Sequence, residues 1–209
     1  CDYPPGAKTK PSIGGFSTPN IEEIVAHSTD LVLAVSRHED IIIPQLEDKG
    51  LTVLALNPTT VDEVLDAIAL VGEVTGNSEE ASQLIAKLRG RIRAIADKID
   101  NLSETERPRV FYAVWHDPLM AAGSNTLQGE LIVRAGGTNI GHDLSGYVSI
   151  SLEAALIANP EIMIASSGHG TGQDLVYKFI TSETRLRETD ASKDGRVYEI
   201  DGDLISRSS

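Results

Sequence analysis

Few residues of this chain have the types and spacing that metal or acid–base chemistry requires. The five histidines never recur at a spacing of three or four residues, with which one helix face holds zinc. The single cysteine, Cys1, excludes an internal disulfide and a cluster of thiolate ligands. No G-x-S-x-G segment, the turn that carries the nucleophile of many hydrolases, occurs in the sequence. We therefore predict no catalytic residue, no metal site and no cofactor.

The glycine-rich segment SSGHGTG, at residues 166–172, has two interpretations. Backbone N–H groups of such a loop can cradle a phosphate where a helix follows. The segment lacks the Lys-Ser/Thr ending of a P-loop and the spacing of a dinucleotide-binding fingerprint. We therefore favour a loop at the carboxyl end of a strand, beside a ligand of another kind.

Two glutamates occupy the same place in a repeated pattern. The segments IEEIVAHSTDLVLA and LEAALIANPEIMIA, which begin at Ile21 and Leu152, align without a gap. Each contains a glutamate, a short helical run, a polar break and a hydrophobic strand. For Glu22 or Glu153 alone, compensation of the helix dipole by a first-turn acid is a sufficient explanation. The repetition instead favours two matching acidic corners that a basic, two-fold symmetric partner binds.

A second group of candidates is aromatic. Flat side chains with few rotamers are suited to holding a large apolar ligand in a cleft. Phe16 and Tyr147 lie in Gly/Ser-rich segments, Tyr3 precedes two prolines, and Trp115 ends a predicted strand. Core packing is the alternative for each of them, most of all for Trp115.

Helices and strands alternate around these candidates. Short apolar runs at residues 30–36 and 51–56 predict buried parallel strands. We expect Thr18 to cap the helix that contains Glu22. Thr60 and Glu63 have the spacing of a capping box at the start of a further helix. This alternation predicts βαβ units and parallel sheets.

The strongest helical signal follows Gly76. We expect Ser78 to cap this helix. At about 1.5 Å per residue, roughly 23 residues make a stiff rod about 34 Å long. Beyond it, strand and helix patterns resume at residue 109, Ser151 caps a helix at 152–158, and the last strand is 196–200. The apolar stripe of the long helix comprises Ala81, Leu84, Ile85, Leu88, Ile92, Ile95 and Ile99.

We therefore predict an α/β protein of two lobes, each with a central sheet of parallel type, joined by one long rigid α-helix. The predicted lobes are residues 1–75 and 107–209, and the helical region between them is 76–106. The net charge of −13 argues against nucleic acid as a partner, because phosphate binding needs a basic face. No apolar run is long enough to predict a membrane span.

Together these features resemble the helical-backbone periplasmic binding proteins of ABC importers, the group that delivers cobalamin, ferric siderophores and haem. The matching motifs run in order along essentially the whole chain. The Asp-Tyr-Pro-Pro stretch is most similar to the cobalamin-binding members. The motifs are Asp2-Tyr3-Pro4-Pro5, Gly15-Phe16, Asn20-Ile21-Glu22, Asp30-Leu31-Val32-Leu33-Ala34, Gly123-Ser124, Ala135-Gly136-Gly137-Thr138-Asn139-Ile140, Ser151 with Glu153, and Asn159-Pro160.

The resemblance implies two α/β lobes joined by a long helix, with the ligand in the cleft between them. It also implies that Glu22 and Glu153, one per lobe, dock on arginines of a membrane permease dimer. Family members have a strand and a helix before the Asp-Tyr-Pro segment and a helix after the last strand. On this basis we expect a chain trimmed at both ends, with Cys1 an internal residue rather than a lipid-carrying one.

The ligand contacts implied by the resemblance are partly retained. Of four positions at which cobalamin binders carry large aromatic residues, two are aromatic here, and Met120 and Val35 occupy the others. Asp203 matches an acidic contact near the carboxyl end. Arg37 follows a predicted strand and suits an anionic siderophore or a haem propionate. The predicted ligand-binding residues are Phe16, Arg37, Trp115, Met120, Tyr147 and Asp203.

We thus predict a non-enzymatic, monomeric receptor that captures a corrinoid and delivers it to an ABC permease. We place it outside the cytoplasm, in the periplasm or anchored at the cell surface. A ferric siderophore or haem is the alternative ligand. Two other functions stay open: a metal-cluster or redox subunit of similar architecture, which the single cysteine disfavours, and a protein–protein interaction module that has lost ligand binding.

Overall fold

The computed structural model describes residues 5–16, 18–35, 38–167 and 175–206. The chain forms two compact units, residues 1–57 and 58–209. The architecture is α/β, as predicted. The lobe boundaries predicted from the sequence, at residues 75 and 107, stay a prediction.

The first unit contains two short antiparallel strands and then two helix–strand pairs. The two later strands are parallel, with Val32 opposite Val53. The elements are β1 (Gly14–Gly15), β2 (Thr18–Pro19), α1 (Ile21–Ala26), β3 (Val32–Val35), α2 (Ile42–Glu47) and β4 (Val53–Leu56).

The helix α1 packs against α2, α2 packs against β4, and Ile24, Ala34 and Leu46 are buried. The expectation that Thr18 caps α1 is wrong. Thr18 belongs to β2, and the side chain of Asn20 accepts the cap hydrogen bond from the Glu23 N–H at 3.1 Å. An asparagine oxygen satisfies a free first-turn N–H as well as a threonine hydroxyl does.

The second unit begins with two helices, α3 (Val61–Val74) and α4 (Ser78–Ile99). The predicted capping box is confirmed, because Thr60 and Glu63 exchange hydrogen bonds of 3.1 Å in each direction. The expectation that Ser78 caps α4 is wrong. Ser78 is the first helical residue, and Asn77 occupies the cap without a side-chain hydrogen bond.

The helix α4 is 22 residues long, close to the predicted length. Its apolar stripe is only partly covered. Ala81 is buried, whereas Leu84 and Ile95 keep 45% and 49% of their surface exposed. The apolar stripe of α4 is therefore present in the sequence, but part of it is exposed on the surface.

A six-stranded sheet forms the centre of the second unit. Its strand order is β10-β9-β5-β6-β8, and β7 pairs with the beginning of β5. Strands β5, β7, β9 and β10 are parallel, but β6 and β8 are antiparallel to their neighbours. The strands are β5 (Arg109–His116), β6 (Leu119–Ala122), β7 (Thr138–Asn139), β8 (Tyr147–Ser149), β9 (Ile162–Ser167) and β10 (Val197–Asp201).

The sheet is thus mixed rather than wholly parallel, which corrects the prediction. The strands β5 and β6 form a hairpin across Asp117 and Pro118, whose peptide bond is cis. A connection of two residues is long enough for antiparallel strands but far too short for a parallel crossover. The sequence analysis did not predict β6 and β8, two antiparallel strands of four and three residues.

Helices cover both faces of this sheet. One face carries Phe111, Ala113, Met163 and Ala165, packed under α6, α7 and α8. The other carries Val110, Tyr112 and Ala122, packed under α5 and α9. The helices are α5 (Leu127–Arg134), α6 (Leu152–Ala158), α7 (Leu175–Ser182), α8 (Asp190–Lys193) and α9 (Gly202–Ser206).

The repeated segments fold in the same way. In each, a short helix is followed by a strand of a parallel pair: α1 by β3 and α6 by β9. Ser151 caps α6 as predicted, accepting from the Ala154 N–H at 3.1 Å. Asn159 ends α6 in a left-handed conformation with φ of 41°, just before Pro160.

Candidate functional site

Trp115 and Met120 lie side by side on one face of the sheet in the second unit. A β-bulge in β5 shifts the register, so Ala113 opposes Ala121 but Trp115 opposes Met120. Directly opposed residues of an antiparallel pair point to the same face. The bulge therefore turns Trp115 to the face of Met120. The indole N–H donates to the Asp117 carbonyl at 2.9 Å, which fixes the ring against the hairpin turn.

Tyr147 extends this face onto the next strand. It opposes Ala122 across β6 and β8, and Ala122 belongs to the core cluster on that face. The Tyr147 hydroxyl donates to the Oε1 atom of Gln128 at 2.7 Å, and burial raises the pKa of this phenol. About half of the Tyr147 and Trp115 surfaces, 50% and 45%, stays exposed. We call Trp115, Met120 and Tyr147 the aromatic face.

Trp115 and Met120 lie near the edge at which the parallel strands end, and Tyr147, the first residue of β8, lies farther from that edge. Trp115 is the next-to-last residue of β5, and β9 ends beside it at Ser167. Tyr112, three residues before Trp115 in β5, has a hydroxyl that forms a hydrogen bond with the side chain of Ser166, and burial raises its pKa. Ligands of α/β proteins gather at the carboxyl ends of parallel strands, so this is the edge where a binding site is expected.

The remaining predicted contacts are Phe16, Arg37 and Asp203. Phe16 lies in the first unit, where its ring meets His38 with centroids 5.2 Å apart and 64% of its surface is exposed. The backbone of Asp203 belongs to α9, and its side chain lies outside the described part of the structure. Arg37, Tyr3 and residues 168–172 of the glycine-rich segment also lie outside the described residues.

The two repeated glutamates occupy equivalent positions. Each is the second residue of its helix, after a side-chain cap from Asn20 for Glu22 and from Ser151 for Glu153. Both side chains are exposed. The Glu153 carboxylate lies 3.5 Å from the Arg185 guanidinium, which Glu183 holds more closely at 3.0 Å. The loose contact of an exposed pair leaves Glu153 open to another cation.

A cavity of about 870 Å³ lies at the opposite edge of the same sheet. Arg109 and Thr138, which begin β5 and β7, line it together with the end of α4. Arg109 is already paired with Glu161 at 3.2 Å, and Arg134 with Glu130 at 2.7 Å. Because Arg109 and Arg134 are neutralised and the cavity lies at the amino ends of the strands, we do not assign the ligand to it.

Within the described ranges, no group of three or more His, Cys, Asp and Glu side chains lies close enough to hold a metal ion. In the same part of the chain, no helix has both the length and the apolarity needed to cross a membrane.

Comparison with known proteins decides the family. Residues 1–204, almost the whole chain, match the family described as periplasmic binding protein. The chain belongs to the periplasmic binding protein family. The resemblance inferred from its motifs is thereby confirmed.

Relatives of this periplasmic binding protein match it almost from end to end. The uncharacterised ABC transporter substrate-binding lipoprotein YvrC of Bacillus subtilis (strain 168) is 30% identical over 99% of this chain and 65% of its own length. A cobalamin-binding protein of Halobacterium salinarum is 29% identical over 98% of this chain and 56% of its own length. The chain thus spans less than two thirds of either relative.

The fold agrees with solved members. The crystal structure of a periplasmic heme binding protein from Pseudomonas aeruginosa superposes with a TM-score of 0.83 at 24% identity, over 97% of this chain and 74% of the other. Among the residues that the sequence analysis missed, Gln128 stands out, because it is polar, 7% exposed and bonded to Tyr147. Its position at the second residue of a capped helix gave no sign of this contact.

Proposed function

We propose that this chain is a non-enzymatic receptor of an ABC importer that binds a corrinoid on the aromatic face. The observation that carries the proposal is the aromatic face itself. Three large side chains from three adjacent strands point the same way, and the two aromatic ones keep about half of their surface exposed. Exposed, rigid aromatic surface at the carboxyl edge of a sheet suits a large, flat ligand.

The nature of the relatives supports a corrinoid. The Halobacterium relative is named a cobalamin-binding protein, and its similarity extends over 98% of this chain. Haem and ferric siderophores are the alternative ligands, because the fold is shared with a heme binding protein. The predicted contributions of Phe16, Arg37 and Asp203 to the same ligand remain predictions. By analogy with a relative named a lipoprotein, we propose that the receptor works outside the cytoplasm.

Equilibrium dialysis against cyanocobalamin, haemin and ferrichrome tests the ligand. We expect cyanocobalamin to bind most tightly. Trp115→Ala and Tyr147→Ala should each weaken this binding about fivefold or more, since removing a well-packed aromatic contact costs about 1 kcal/mol or more. Tighter binding of haemin or ferrichrome would show that the proposed ligand is wrong. Binding of none of the three would refute the proposed receptor function.

Tyr198→Ala is the matched control. Tyr198 is also a half-exposed tyrosine, 51% exposed, but it stands on β10, the edge strand at the opposite end of the sheet from β8. Its substitution should leave the dissociation constant unchanged. An equal loss in the control and in both aromatic-face variants would show that the effect is not local to the proposed site.

We further propose that Glu22 and Glu153 dock the receptor on basic residues of a permease dimer. Their support is their shared position, second in a capped helix, and the exposure of both side chains. The double variant Glu22→Gln with Glu153→Gln should keep ligand affinity and lose binding to permease in proteoliposomes. The control is Glu79→Gln, because Glu79 is likewise an exposed second residue of a helix, α4. Unchanged permease binding by the double variant would contradict the docking proposal.

A further inference from the structure

The Tyr147 hydroxyl and the Gln128 amide form a hydrogen bond under the aromatic face. Gln128 is 7% exposed, whereas Tyr147 is 50% exposed. The phenol oxygen and the amide Oε1 are 2.7 Å apart. Tyr147 therefore offers its ring at the surface while its polar end is held inside the protein.

The second contact of Gln128 sets the direction of this bond. The Gln128 Nε2 atom donates to the backbone carbonyl of Ile205, in α9, at 3.4 Å. A carbonyl oxygen can only accept, so the amide NH₂ group must face Ile205 and the amide oxygen must face Tyr147. The phenol is then the donor. One buried amide thus joins β8 to α9, the helix whose backbone contains Asp203.

Both ends of the bond rest on fixed backbone. On the amide side, the Thr126 hydroxyl accepts from the Gly129 N–H at 3.1 Å and donates to the Gly123 carbonyl at 2.7 Å, which ties the first turn of α5 to the end of β6. On the phenol side, the Gly123 N–H donates to the Gly146 carbonyl at 2.9 Å, directly before Tyr147. The backbone on which each of the two side chains stands is therefore held in place by hydrogen bonds.

We infer that Gln128 is a positioning residue for ligand binding, which holds the Tyr147 ring in one rotamer and links it to α9. The inference rests on the proposed function, in which Tyr147 contacts a large ring-shaped ligand. A ring that is already ordered loses less rotamer entropy when the ligand binds, so the bond raises affinity although Gln128 itself does not touch the ligand.

A double-mutant cycle with cyanocobalamin tests the inference. Gln128→Met keeps the length of the side chain and removes the amide, and Tyr147→Phe removes the same bond from the other side. Each variant should raise the dissociation constant about three- to tenfold, because binding must then also restrict the rotamers of one freed side chain. The double variant should bind no more weakly than either single variant. Multiplication of the two losses in the double variant would overturn the inference.

A measurement without ligand separates this inference from the proposed function. Scalar couplings across χ1 of residue 147, measured by NMR on the full chain, should report one rotamer in the wild type and averaging in Gln128→Met and Tyr147→Phe. A merely structural role of Gln128 would lower the melting temperature but leave the Tyr147 rotamer fixed, and that result would refute positioning. If the wild type binds no cyanocobalamin yet the rotamer averages in both variants, the positioning stands and the proposed function fails.

Discussion

Two helical glycines of the second unit should respond with opposite sign to the same substitution. Gly129 lies in the first turn of α5, and an added Cβ would come 2.2 Å from the Gly123 carbonyl oxygen. Gly90 lies in the middle of α4, where an added Cβ would meet nothing within 4 Å beyond its chain neighbours and the backbone of its own helix. Both backbones are helical, so the difference lies only in the surroundings.

For Gly129→Ala, steric conflict should outweigh helix propensity. The Gly123 carbonyl cannot retreat freely, because it accepts from the Thr126 hydroxyl at 2.7 Å. Forcing an extra carbon into a packed site costs about 1–3 kcal/mol, and one weakened hydrogen bond adds about 1 kcal/mol. Alanine returns up to about 1 kcal/mol of helix propensity. The expected net loss in unfolding free energy is about 1–3 kcal/mol.

For Gly90→Ala only the propensity remains, and the unfolding free energy should rise by about 0.5–1 kcal/mol. Urea unfolding followed by fluorescence is a direct assay, because the single tryptophan, Trp115, lies in the same unit as both glycines. In thermal unfolding each kcal/mol corresponds to about 2–4 °C for a chain of this size. A Gly129→Ala variant as stable as the wild type would refute the close approach of α5 to the end of β6.

Two further predictions concern the core of the second unit and its stability at alkaline pH. Met163 is fully buried in β9, and Met163→Ala should lower the unfolding free energy by about 2–5 kcal/mol. Met120 is only partly buried, so urea unfolding should find a smaller loss for Met120→Ala. Equal losses in the two variants would contradict this difference in burial. Burial raises the pKa of Tyr112 above its ordinary value, so the unfolded chain loses this proton first and stability should fall as the pH rises beyond about 10. Tyr112→Phe should flatten that decline in urea midpoints measured from pH 8 to 11, and a decline as steep as in the wild type would show that this phenol is not responsible.

Much of the local structure was readable from short-range signals. The capping box of Thr60 and Glu63, the cap at Ser151 and the stop at Asn159 were all identified from residues a few positions apart. The caps at Thr18 and Ser78 were misassigned by one or two residues, because several polar side chains near a helix start compete for the same N–H groups. Helix ends are governed by neighbours in sequence, so such errors stay small.

The sequence by itself determined the α/β class, the repeated helix–strand segment with its two glutamates, and the family. Tertiary structure alone decided which side chains meet. The bulge that turns Trp115 toward Met120 depends on pairing with β6, and the contact of Gln128 with Tyr147 joins residues that are 19 positions apart. Strand pairing and burial are set by partners distant along the chain, and the order of residues carries no direct record of those distances.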